Sequence, residues 1–157
     1  MINETYILEC DFNNPDHLKA LGMLVNEYIL DDMGGGKPLN PLQQLRLVDG
    51  LNNHPTAIVL LAITNDAPSG IIVAFKIFST FTVKPMINVH DIFVSTEYRQ
   101  SGVGKKLMDA LVAEAEMIGC SRITLEVRED NIPAQYLYRR FGFDDTTPPM
   151  LYWRKDL

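Results

Sequence analysis

Between Asn88 and Leu111 the chain reads NVHDIFVSTEYRQSGVGKKLMDAL: apolar and β-branched residues, then a polar turn, then two glycines at the head of an apolar-periodic helix. A strand that opens a helix through glycines is an anion-binding design. Gly102 and Gly104 lack Cβ atoms, so consecutive backbone N–H groups can approach a phosphate closely, at the helix end where the macrodipole is positive. The dinucleotide fingerprint, glycine–x–glycine–x–x–glycine, does not fit, because Leu107 stands where its third glycine belongs.

What Arg99, Gly102 and Gly104 do match is an arginine-or-glutamine–x–x–glycine–x–glycine turn. About thirty residues on comes Asn131-Ile-Pro-Ala-Gln-Tyr-Leu-Tyr-Arg-Arg-Phe-Gly-Phe143. It has an asparagine opening a short helix, an alanine three residues later, then Leu137-Tyr138, and Gly142-Phe143 closing it. With both stretches in this order and a strand between them, the chain resembles the GCN5-related N-acetyltransferases, the GNAT superfamily. The resemblance is specific over residues 88–143 and topological before that. It implies that the glycine turn wraps the pyrophosphate of acetyl-coenzyme A.

Composition bounds the rest. A chain of 157 residues is one domain by length and buries a core without staples. Lys+Arg 14 against Asp+Glu 20 gives a net charge of −6, and no basic cluster exceeds Lys105-Lys106 or Arg139-Arg140. Direct nucleic-acid binding is therefore not expected, since it needs a concentrated basic face. An acidic balance suits cationic partners, amines among them. Cys10 and Cys120 sit in apolar stretches without a CxxC, and no histidine–cysteine cluster has metal-ligand spacing, so no metal is expected. The N-terminal MINETYILEC lacks the basic and apolar regions of a secretory signal, and no run approaches a membrane span. A cytoplasmic location is the expectation.

Taken in order, the pattern predicts a strand over Thr5–Cys10 and helices over Pro15–Leu30 and Pro41–Asn52. Between the helices, Gly34-Gly35-Gly36 predicts a mobile connection. Strands follow over Thr56–Thr64, Ile71–Phe81 and Ile87–Val94, the first two joined by a turn over Asn65–Gly70. A helix after the glycine turn ends at Gly119, with a strand over Arg122–Val127, a helix from Asn131, and a hairpin through Thr146-Thr147-Pro148-Pro149 to Leu151-Tyr152-Trp153. The order β-α-α-β-β-β-α-β-α-β-β implies an α/β fold with helices on both faces of a mixed central sheet.

Acetyl transfer to an amine requires that the amine lose its proton, that the tetrahedral intermediate be stabilised, and that the departing thiolate be protonated. The resemblance assigns the pyrophosphate cradle to Arg99, Gln100, Ser101, Gly102, Val103, Gly104 and Lys105. It pairs the backbone of Ile92, Phe93 and Val94 with the pantetheine arm, adds Asn131 as a further contact, and makes Tyr138 the general acid toward sulfur. Family bases tend to lie on the strand before the glycine turn. By the two-residue period, Asn88, His90, Ile92 and Val94 share one face there and Asp91 takes the other. His90 is the candidate base, since an ordinary imidazole titrates at about 6.5. Asp31 and Asp32 are candidate contacts for the acceptor, because the resemblance places the region between the first two helices at the acceptor pocket, and Asn88, on the strand face of the candidate base, is a further one.

The sequence thus reads as a single-domain acetyltransferase, residues 1–157, using acetyl-coenzyme A on a primary amine, a small cationic one, by direct attack in a ternary complex. Two alternatives stand beside it: a protein or peptide amine as acceptor, and a non-catalytic acyl-coenzyme A binding module. A homodimer formed through the C-terminal strands is common in the family.

Overall fold

Two hydrophobic faces on one sheet set the architecture. The computed structural model describes residues 4–157. Strands β1 (Thr5–Glu9), β2 (Ala57–Thr64), β3 (Ala67–Ser79), β4 (Lys84–Val94) and β5 (Ile123–Leu125) lie side by side in sequence order. Every neighbouring pair is antiparallel except β4 and β5, which are parallel. The inner strands carry apolar residues on both sides, as strands covered on both faces must. Leu60, Ala62, Ile72 and Ala74 pack under helix α3 (Val103–Ile118) through Val103, Leu107 and Leu111. Val59, Leu61, Ile71 and Val73 pack under α1 (Pro15–Leu30) and α2 (Pro41–Asn52) through Leu21, Leu24 and Leu51. The last helix, α4 (Ile132–Arg140), brings Leu137 and Phe141 to the α3 side.

The first two helices have the bounds their sequence predicts, because each begins with an asparagine cap and a proline. The Asn14 side chain accepts from the Asp16 N–H, and Asn40 forms a reciprocal capping box with Gln43. Gly119, at φ 78°, terminates α3.

Three expectations change. The turn between β2 and β3 is only Asn65-Asp66, both with positive φ, so β3 starts at Ala67 rather than Ile71. A two-residue turn of that hand matches the twist of the strands it joins. The strand expected over Arg122–Val127 shortens to three residues. Finally, the C-terminal hairpin does not form: residues 144–157 contain no helix or strand and are exposed throughout. Pro148 and Pro149 lack the N–H groups a ladder needs, and three residues of β5 offer a short edge to pair with. Among the described residues, no helix is long and apolar enough to cross a membrane.

Candidate active site

The site begins where two strands part. β4 pairs with β5 only at Ile87, Asn88 and Val89, opposite Ile123, Thr124 and Leu125. Beyond Val89 the chain of β4 runs on to Val94 with β3 on one side and, among the described residues, no strand on the other. Backbone polar groups along that free edge are available to an extended ligand, in the manner of an added strand. The glycine turn lies at the end of the same edge. Gly102 caps α3 at φ 87°, a left-handed conformation that disfavours side chains, and Gln100 is held at φ 60°. Gly104 has a different reason: a Cβ there would meet the Leu137 side chain at 3.2 Å, so its absence lets α4 close on α3.

A bulge in β4 rearranges the side chains expected on its two faces. Val73 lies opposite Asp91 and Ala74 opposite Val89, which leaves His90 as an extra residue. Asn88, Asp91 and Phe93 therefore face α1 and α2, while Val89, Ile92 and Val94 face α3. The expected sharing of one face by Asn88, Ile92 and Val94 is broken, and Asp91 lies on the α1 side with Asn88. His90 is exposed, and its ring stands edge-on to Phe75 at 6.0 Å. Burial pushes the Asp91 carboxyl above the usual carboxylate range, with His90 beside it acting in the opposite direction.

Tyr138 is 6% exposed, and its ring lies 6.0 Å from that of Phe143. Burial, and secondarily the phenol of Tyr28, push its hydroxyl well above the ordinary phenol range. Tyr28 belongs to α1 and Tyr138 to α4, so the two phenols sense each other between helices on different layers. The hydroxyl is therefore held in its protonated, proton-donating form.

On the α1 side, Glu27, Asp31, Asp32, Phe93, Thr96 and Arg99 line an open cavity of about 450 Å³. Tyr28 stacks on Phe93 at 5.4 Å. Burial raises the Tyr28 hydroxyl, and Asp91 and Asp31 raise it further. For Asp31, burial pushes the carboxyl up, but hydrogen bonds from the Met33 N–H and from Arg99 outweigh it and hold the group below the usual range. The three glycines, expected to leave a mobile connection, form a hydrogen-bonded wrap around the end of α1. Gly34 and Gly35 donate to the Asp31 carbonyl at 2.8 and 3.0 Å, Gly36 donates to Ile29 at 2.8 Å, and Leu39 donates to the Asn26 side chain at 2.8 Å. The wrap is so close that a Cβ on Gly34 would fall 1.9 Å from the Tyr28 carbonyl oxygen.

Other predicted residues are engaged elsewhere. Asn88 donates to Thr124 at 3.0 Å in the parallel seam, Asn131 caps α4 by accepting from Ala134, and Lys105 pairs with Asp109 at 2.6 Å on the surface. Ser101 donates to the Tyr98 carbonyl. Sequence reasoning overlooked Tyr28, whose helical spacing marks it only as apolar, and Arg128, which lies in the loop after β5 and donates to the Asp32 carbonyl at 3.4 Å.

A parted β4/β5 pair, a glycine-capped helix at its mouth and a tyrosine from α4 make a specific combination, and comparison with known proteins gives it a family. A family model described as "Acetyltransferase (GNAT) family" matches residues 25–143. The chain belongs to the GNAT acetyltransferases. The spermine/spermidine N(1)-acetyltransferase of Bacillus subtilis (strain 168) is 46% identical over 52 residues, 32% of this chain and 34% of that protein. The thialysine N-epsilon-acetyltransferase of Sus scrofa is 33% identical over 107 residues, 63% of this chain and 62% of that protein. The match therefore spans about a third of the former relative and under two thirds of the latter. Among solved structures, AAC(6')-Iy in complex with a CoA-containing bisubstrate analogue superposes with a TM-score of 0.76 at 19% identity, covering 98% of this chain and 99% of that one. At that identity the likeness is one of fold.

Proposed function

We propose that this GNAT protein transfers the acetyl group of acetyl-coenzyme A to a primary amine, a small cationic one, by direct attack within a ternary complex. The observation that carries the proposal is the free edge of β4 ending at the glycine turn that opens α3, where Gly104 meets Leu137, the residue next to Tyr138 on α4. The site residues fit the co-substrate. The backbone N–H groups from Gln100 to Lys105 suit its pyrophosphate and the edge from Ile92 to Val94 its pantetheine amides, while Asn131 lies at the start of α4 nearby. Acetyl-coenzyme A supplies the activated thioester.

The chain's own groups handle the protons. His90, exposed at the bulge, takes the proton from the attacking amine as the carbon–nitrogen bond forms. As the carbon–sulfur bond breaks, Tyr138 donates its hydroxyl proton to the departing sulfur. Asp31 and Asp32, with Glu27, give the acceptor wall three carboxylates against one guanidinium, which supports a cationic acceptor. An acyl-enzyme route is disfavoured, because burial pushes the Cys10 thiol up to about 11 and raises Cys120 as well. Thiol release measured with acetyl-coenzyme A and a panel of polyamines, aminoglycosides and peptides tests the proposal. Amine-dependent release with polyamines or aminoglycosides is the expected result; release with peptides alone overturns the choice of acceptor, and none at all overturns the enzymatic reading.

A further inference from the structure

Arg99 opens the glycine-turn motif, and the sequence therefore assigns it to the phosphate. Its guanidinium points the other way. Nη2 meets Asp31 Oδ2 at 2.6 Å, Nε donates to the Val94 carbonyl at 3.1 Å, and the guanidinium carbon lies 5.5 Å from the centre of the Phe93 ring. Phe93 belongs to the core under α1 and α2, whereas α3, the helix whose N-terminus forms the cradle, packs on the opposite face of the sheet. The two ends of Arg99 thus lie on different faces, its backbone in the turn and its charge at the acceptor cavity.

Asp31 in turn organises the end of α1. Its Oδ1 accepts the Met33 N–H at 3.0 Å and its carbonyl accepts from Gly34 and Gly35. Arg99 holds the other carboxylate oxygen, so one side chain ties the glycine wrap to the last residue of β4. The Asp31 side chain is 15% exposed, against 43% for Arg99. A partly sheltered, hydrogen-bonded carboxylate of this kind gains more from a guanidinium than a pair open to water does.

We propose that Arg99 is a positioning residue for the acceptor side of the reaction: it clamps the α1–α2 connection against Phe93 and so fixes the wall that receives the amine, while leaving acetyl-coenzyme A affinity to the backbone of the glycine turn. The proposal rests on the acetyltransferase reading above and adds to it a division of labour within the motif.

The experiment compares the wild type with Arg99→Gln, Arg99→Lys, Asp31→Asn and the double variant Arg99→Gln/Asp31→Asn. Hydrogen exchange is followed at Met33 to Gly36 and along α3, acetyl-coenzyme A affinity is measured by calorimetry, and steady-state kinetics use spermine as the acceptor. Arg99→Gln is expected to speed exchange at Met33 to Gly36 by about tenfold or more while α3 stays protected. The spermine KM is expected to rise about tenfold with kcat and the acetyl-coenzyme A Kd within about threefold. Arg99→Lys recovers part of the loss, and the double variant is no worse than the more severe single one, as coupled partners require. A Kd for acetyl-coenzyme A raised tenfold in Arg99→Gln, with spermine KM and exchange unchanged, overturns the clamp and returns Arg99 to the phosphate. Additive effects of the two single changes also overturn it. If the wild type does not acetylate spermine, the choice of acceptor fails separately; exchange at the wrap and the calorimetric Kd then decide the clamp, faster exchange with unchanged affinity supporting it and unchanged exchange overturning it.

Discussion

Burial keeps the Tyr138 hydroxyl protonated, so removing one oxygen should separate turnover from binding. Tyr138→Phe keeps the ring in its place against Phe143. Turnover is expected to fall about 10²-fold with acetyl-coenzyme A affinity nearly unchanged, as for a positioned general acid; stopped-assay thiol release and calorimetry check the two halves. The raised Tyr138 pKa also has a sign. The proton donor is lost only above the ordinary phenol range, so a basic limb in kcat that begins below pH ~10 belongs to some other group. At the bulge, His90→Ala should lose about two orders of magnitude in kcat/KM and Asp91→Asn less, because only the former removes the proton acceptor. The reverse ranking in a pH–rate series would make Asp91 the base, and its position on the α1 face beside Tyr28 gives that outcome a structural reason. Gly34→Ala places a methyl on the Tyr28 carbonyl and must shift the wrap. Its expected signature is a raised amine KM.

At the level of elements, what was legible from residues was whatever a local rule dictates. Asn14-Pro15 and Asn40-Pro41 start their helices where cap and proline chemistry requires, and the glycine turn opens α3 because only a left-handed residue fits at Gly102. The bulge in β4 was not legible. His90 carries no turn signature, and the extra residue exists only relative to the register of β3. Likewise, three successive glycines suggest freedom until the helix-end carbonyls of Ile29 and Asp31 supply partners for their N–H groups. The two glycines of the motif are required for different reasons. Gly102→Val strains the backbone at φ 87°, whereas Gly104→Val wedges α3 from α4 at Leu137. Both should weaken acetyl-coenzyme A binding by about tenfold or more, roughly 1.4 kcal/mol. Both should also lower the melting temperature in calorimetric scans of the free protein, Gly102→Val through the left-handed backbone and Gly104→Val through the α3–α4 contact. The tie between the end of α1 and β4 has its own acid dependence. Because the folded Asp31 pKa is depressed, its stabilisation is present above the ordinary carboxylate value of about 3.9 and is lost as pH falls through the lower folded value. Asp31→Asn should therefore flatten the unfolding free energy against pH in that acidic window.

For the molecule as a whole, both hydrophobic layers are complete before residue 144, with Phe143 the last apolar side chain packed against either. Removing residues 146–157 should leave the melting temperature within ~2 °C, as expected when no buried surface is lost. A larger drop would mean that Leu151, Tyr152 and Trp153 find a surface in solution. The bulge has a consequence at this scale too. Deleting His90 in thought leaves Val89 and Asp91 adjacent, opposite Ala74 and Val73, with the alternation of every other residue intact. The sheet closes equally well without the residue proposed to take the amine's proton. Architecture and chemistry are thus separable in this strand: the pairing of β3 with β4 on either side of the bulge does not depend on which side chain stands at position 90.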